Sequence, residues 1–161
     1  MIKRVPTNVV LIICLCAPFL ATAQDRSTDR VNTERSAQVA ANVARAIKAK
    51  EPKWSLKYSH SASLATEQIW KSGNKQISLR IYVCDSPEQA SKWLPTLGGF
   101  QISGSEKLED FGDEARFISI RYFSWVGVRK GRMLAVVQCP GGGFPLTKRF
   151  GQYALEQLED Q

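Results

Sequence analysis

The sequence predicts a single α+β domain, an antiparallel sheet of about five or six strands with helices packed on one or both faces. Three observations predict it. The chain has 161 residues, which is one domain's worth, with 43% hydrophobic and 23% charged residues, a globular composition. Strand-like runs follow one another across turns too short for parallel crossovers. Several of those runs carry apolar side chains on both faces, so they need cover on both sides.

The elements follow in order. Residues 24–35 are polar and rich in Arg, Asp, Ser and Thr, and are expected to form a flexible tail. The domain proper is expected over 36–161. Residues 36–50 are alanine-rich, with Val39, Val43, Ala46 and Ile47 at helical spacing. Glu51-Pro52 ends this first helix, because a residue before proline avoids the helical region. Trp54, Leu56 and Tyr58 alternate weakly in a strand over 53–60. Residues 64–71 and 75–84 read as a hairpin around Ser72-Gly73-Asn74. In its second arm Ile77, Leu79, Ile81 and Val83 share one face, opposite Gln76, Ser78, Arg80, Tyr82 and Cys84.

A second helix starts at Ser86-Pro87-Glu88-Gln89, where Ser86 caps, Pro87 suits the first helical position and Gln89 has capping-box spacing. Ala90, Trp93, Leu94 and Leu97 form its apolar stripe, and Pro95 is expected to end it early. Residues 106–111 are expected to be a short extended or irregular stretch, and Gly112-Asp113-Glu114-Ala115 a turn that feeds a strand. Strands are expected over 116–123, 125–129 and 133–139, the last two joined at Lys130-Gly131. After Pro140-Gly141-Gly142-Gly143 a closing helix carries Leu146, Phe150, Tyr153, Ala154 and Leu158 on one face.

The N-terminus has the three parts of a secretory signal peptide in order: basic Lys3 and Arg4, an apolar run over 9–20, and Ala21-Thr22-Ala23 as a small-x-small cleavage site. The run is shorter than the roughly 20 residues of a spanning helix, and Pro18 interrupts it. Cys14 and Cys16 follow Ile13 and Leu15 rather than the small residue that lipid attachment needs. The expected product is soluble, extracytoplasmic (periplasmic or secreted) and without a membrane span, starting at Gln24. Removing 1–23 takes away two basic residues and no acidic one, so the formal charge falls from +7 to +5 over 138 residues. That mild basicity suits an anionic partner without implying specific nucleic-acid binding.

Two cysteines remain, Cys84 and Cys139, both at the ends of strand-like runs. In an oxidising compartment they are expected to pair, with free thiols as the alternative. No catalytic residue, metal site or cofactor is expected. The one histidine, His60, sits among serines without a nucleophile elbow, and there is no Cys-x-x-Cys. The carboxylates of 109–114 support a small secreted hydrolase as an alternative, but adjacent acids on an extended chain point to opposite faces. An anion site is expected at Gly141, Gly142 and Gly143 with Lys148 and Arg149, where a glycine loop opens a helix. Arg80, Tyr82, Arg121, Tyr122, Trp125 and Arg129 could furnish an aromatic and basic stacking platform.

The run Asp110-Phe111-Gly112-Asp113-Glu114-Ala115, followed by a strand and then Val128-Arg129-Lys130-Gly131 leading into Val136-Val137, resembles PsbP-like extracytoplasmic domains of sensors and small lipoproteins. The resemblance spans 54–161 and is close over 112–137. It implies a central antiparallel sheet between helices, and binding or scaffolding rather than catalysis. It carries over no functional residue, and this chain lacks a lipid-attachment cysteine. The expected function is therefore a non-catalytic binding or interaction module for a small anionic ligand or a protein partner, with an envelope inhibitor as a further alternative.

Overall fold

The computed structural model describes residues 23–62, 65–97, 104–141 and 143–158. The expected signal peptide, up to Thr22, lies outside them. Elements run α1 (Ala23–Lys50), β1 (Ser55–Ala62), β2 (Ala65–Ser72), β3 (Lys75–Val83), α2 (Pro87–Leu97), β4 (Glu106–Lys107), β5 (Glu114–Ile120), β6 (Phe123–Lys130), β7 (Met133–Pro140) and α3 (Phe144–Leu155). The strands form one seven-stranded sheet in the order β1-β2-β3-β7-β6-β5-β4, every pair antiparallel. The expected α+β architecture is the one observed. The added strand is β4, two residues paired with Phe117 and Arg116, too short to show a sequence period.

Two meanders, β1–β3 and β4–β7, meet where β3 pairs with β7. α1 lies on β1, β2 and β3, α3 lies on β6 and β7, and the two helices touch. Between them and the sheet sits the main core. It includes Val39, Val43 and Ile47 of α1, Trp70, the Ile77-Leu79-Ile81-Val83 stripe, Val126, Val137, Phe150 and Leu158. The opposite face is covered by α2, whose Ala90 and Leu94 pack with Cys84, Ile118 and Leu134. Covering both faces explains why Phe117 and Ile118, neighbours in sequence, are both apolar. Phe117 stacks on Phe144 at 4.2 Å, and Ile118 belongs to the α2 side.

Three local expectations change. α1 begins at Ala23, not at 36, so the segment expected as a tail is helix. Asn32 and Ser36 are fully buried, and Asn32 Nδ2 donates to Asp85 Oδ1 at 3.0 Å. Such tertiary contacts hold a polar helix that periodicity alone does not announce. The β5–β6 turn falls at Arg121-Tyr122, inside a run expected as one strand. It has no glycine or proline to mark it, and the Tyr122 carbonyl is satisfied by the Gly141 N–H at 2.7 Å. α2 continues past Pro95 to Leu97, because proline near a helix end forfeits a single bond.

The cap of α2 forms as expected at its first contact, Gln89 N–H to Ser86 Oγ at 3.2 Å. The return contact reaches one residue further back, from the Asp85 N–H to Gln89 Oε1 at 2.6 Å. Among the described residues no helix is long and apolar enough to cross a membrane.

Candidate functional site

The sequence-predicted sites fare differently. Cys84 and Cys139 are both buried free thiols, which corrects the expected disulfide. The register shows why. Cys84 follows Val83 and bonds its N–H to the Arg132 carbonyl at one end of the β3–β7 pair. Cys139 follows Gln138, which pairs with Ser78, so it lies beside Ile77 at the other end. Seven positions of strand separate them, about 23 Å, whereas a disulfide needs Cα atoms within about 7 Å. They also belong to different cores, Cys139 under α1 and α3 and Cys84 under α2.

At the glycine loop, Gly142 lies outside the described residues. Gly143 caps α3 with its backbone alone. Arg149 turns away to Glu51, Nε to Oε1 at 2.8 Å, and Lys148 sits 5.9 Å from the Phe111 and Phe144 ring centroids. Among the described residues of the expected anion site, Arg149 is therefore committed to a carboxylate of this chain, and Lys148 stands over the two rings.

The carboxylates of the Gly112–Ala115 turn are engaged with the β6–β7 hairpin. Gly131 donates its N–H to Asp113 Oδ2 at 2.6 Å, Arg129 Nη1 donates to the same oxygen at 3.2 Å, and Asp113 N–H donates to the Arg129 carbonyl at 2.9 Å. Gly112 has φ +78°, and a Cβ there would stand 2.5 Å from the Arg129 carbonyl oxygen, so only glycine fits. Glu114 accepts from Ser91 Oγ at 2.9 Å and lies 3.6 to 3.7 Å from the Nε atoms of Arg116 and Arg129. The two motifs that carry the family resemblance are thus one physical unit, a turn docked on a hairpin.

The aromatic and basic residues divide. Arg80, Tyr82, Trp125 and Arg129 share the α2 face through the registers Arg80↔Val136 and Trp125↔Gln138. Arg80 pairs with Glu67 at 2.8 Å and Arg129 with Asp113, so their charge is matched locally. Arg121 and Tyr122 stand at the hairpin tip, with Tyr122 62% exposed. His60 is exposed on β1, its ring 6.1 Å from that of Tyr58.

A site the sequence does not announce lies between α1 and the edge strand β1. It is an open groove of about 340 Å³. Its helix wall is Ala37, Ala41 and Ala44, one small-residue stripe at i, i+4, i+7. Its floor holds Ser61, Thr66 and Gln68, and its mouth holds Arg45 and Lys48, with Leu56 and Ser59 completing the strand side. The lining carries two cations and no carboxylate.

The floor is ordered by hydrogen bonds. Thr66 Oγ1 lies 2.9 Å from Ser36 Oγ and 2.8 Å from Ser61 Oγ. Gln68 Nε2 donates to the Ala40 carbonyl at 2.9 Å, and Trp70 Nε1 donates to Gln68 Oε1 at 3.1 Å. Thr66 and Gln68 are 1% and 2% exposed. Polar side chains held this deep against a cavity give it fixed chemistry. The alanine stripe could have hinted at the groove, but alanine at helical spacing also means close packing. What leaves the space is the placement of β1, which is a tertiary fact.

No family model matches the chain, and no curated protein matches it. Among solved structures, a GTP binding regulator from Thermotoga maritima superposes with a TM-score of 0.51, at 15% identity, over 75% of this chain and 90% of that one. At that identity the likeness is one of fold.

Proposed function

We propose that the protein is an exported, non-catalytic module that binds a small anionic ligand in the groove between α1 and β1. The observation that carries the reading is the lining of that groove, with small side chains on one wall, buried hydroxyl and amide groups on the floor, and Arg45 and Lys48 unopposed by any carboxylate at the mouth. Volumes of this order suit small molecules. The basic, apolar and small-x-small order of the first 23 residues supports export. The resemblance to PsbP-like extracytoplasmic domains supports binding over catalysis. So does the engagement of Asp113 and Glu114 with Arg129, which gives these carboxylates a structural task.

Native mass spectrometry of the protein taken from its own envelope fraction tests both halves. The expected chain starts at Gln24 and retains a small anion that Lys48→Glu releases. A chain that keeps residues 1–23 in a cytosolic fraction defeats export. Ligand occupancy unchanged by Lys48→Glu defeats the groove.

A further inference from the structure

We infer that the groove selects an anion that also carries hydroxyl or amine donors, the chemistry of a sugar acid or a polyol phosphate. The inference rests on the groove being the binding site, and follows from counting hydrogens on its floor. A hydroxyl has one hydrogen and two lone pairs. Ser36 Oγ donates its hydrogen to the Thr33 carbonyl at 2.9 Å. The hydrogen between Ser36 and Thr66 must then come from Thr66. With the Thr66 hydrogen spent, the one between Thr66 and Ser61 must come from Ser61. The chain therefore runs in one direction, from Ser61 to Thr66 to Ser36 to a helix carbonyl.

What the two floor hydroxyls keep is acceptor capacity: two lone pairs on Ser61 and one on Thr66. Gln68 keeps one N–H and one lone pair, since Ala40 and Trp70 take the rest. The floor thus asks mainly for donors. The mouth asks for the reverse, because Arg45 and Lys48 can only donate. Arg45 is steadied there by its Nη2 bond to Asn42 Oδ1 at 2.6 Å, which leaves its other N–H groups to a ligand. From Ala37 to Lys48 the helix wall rises about 16 Å, so one molecule can meet both ends. A bare inorganic anion satisfies the mouth only. A fatty acid would lay an alkyl chain over the acceptors and strip them of water without replacing it.

The test is an NMR titration of the labelled full-length mature protein with six probes at equal concentration. Gluconate, glucuronate and glycerol phosphate carry both features. Hexanoate and inorganic phosphate carry only charge, and glucose carries only hydroxyls. The first three are expected to bind about tenfold or more tighter than the others and to shift the amides of 59–61, 66 and 68. Lys48→Glu should weaken them about tenfold, and Ser61→Ala should narrow their advantage while leaving phosphate unchanged. Ser61 is half-buried on an edge strand, so its truncation should leave the fold intact, which the spectrum reports directly.

If hexanoate or phosphate binds as tightly as gluconate, the donor requirement is wrong and the groove reading survives. If glucose binds as tightly and Lys48→Glu changes nothing, the charge requirement is wrong. If no probe moves a groove amide, both the inference and the groove reading fall.

Discussion

Cys84 sits in the α2-side core beside Leu134 and Ile118, and burial, with Asp85 adding to it, pushes its thiol pKa up to about 11. The neutral thiol is the form the fold accepts. Its contribution to stability is therefore complete below the unfolded value of about 9 and is lost as pH rises toward 11. Burial also raises Cys139, Tyr82 and Tyr153, so all four push the same way. Urea unfolding at about pH 8 and about pH 11 should show falling stability, with a shallower fall in Cys84→Ala. An equal fall in both proteins would show that the Cys84 thiol is not a contributor. At this scale the sequence is only half legible. The Ile77-Leu79-Ile81-Val83 stripe can be read directly, because a strand's period of two is local. Thr66 and Gln68 look like ordinary alternating polar residues, and only their burial under α1 makes them a floor.

The helices α1 and α3 are joined by a compact polar contact where α1 ends. Glu51 Oε1 accepts from Arg149 Nε at 2.8 Å and from Tyr153 Oη at 3.1 Å, and its side chain is only 16% exposed. Lys50 pairs with Glu156 at 2.6 Å and stands over the Tyr153 ring. Glu51→Ala leaves the buried Tyr153 phenol and the exposed Arg149 guanidinium without this acceptor, and should cost about 1–2 kcal/mol in chemical denaturation, most of it from the phenol. In the outer pair, Lys50 with Glu156, the carboxylate is 36% exposed, and breaking the pair should cost less than about 1 kcal/mol. If the two variants lose equally, the buried acceptor is not the main tie. Arg149 is the residue the sequence assigned to an anion, and the anion it meets is a side chain 98 positions earlier. Spacing along the chain cannot show such a partner. The elements themselves were legible in order because their signals are short-range: Pro52, Ser86-Pro87, Gly73 and Gly131. The turn at Arg121-Tyr122 carries no such signal, and the N-terminal part of α1 has almost no apolar period.

For the molecule as a whole, the sheet separates two chemically similar thiols by its thickness and most of the length of β3. Alkylation of the unfolded, unreduced protein should therefore modify both Cys84 and Cys139, whatever compartment the protein came from. A mass two hydrogens short, with no alkylation, would require a different strand register. Before unfolding, both thiols should react slowly, because each is 1% exposed or less. The expected export signal and the two cysteines together invite a disulfide in any sequence reading. Only the topology, which puts Cys139 beside Ile77, forbids it.

The same topology sets an order of assembly. Within each meander, partner strands are joined by short links, so the hairpins of β1–β3 and of β5–β7 can form early and independently. The β3–β7 ladder is different, because its nearest partners, Val83 and Met133, are 50 positions apart. Closing that loop costs about 3–4 kcal/mol of chain entropy before any contact is gained. The slow step of folding should be the docking of two preformed half-sheets. Amide exchange along Ser78–Val83 and Met133–Gln138 should then report the global opening of the molecule. The groove belongs wholly to the first half-sheet and its helix, so it can loosen in smaller fluctuations that leave this central seam closed.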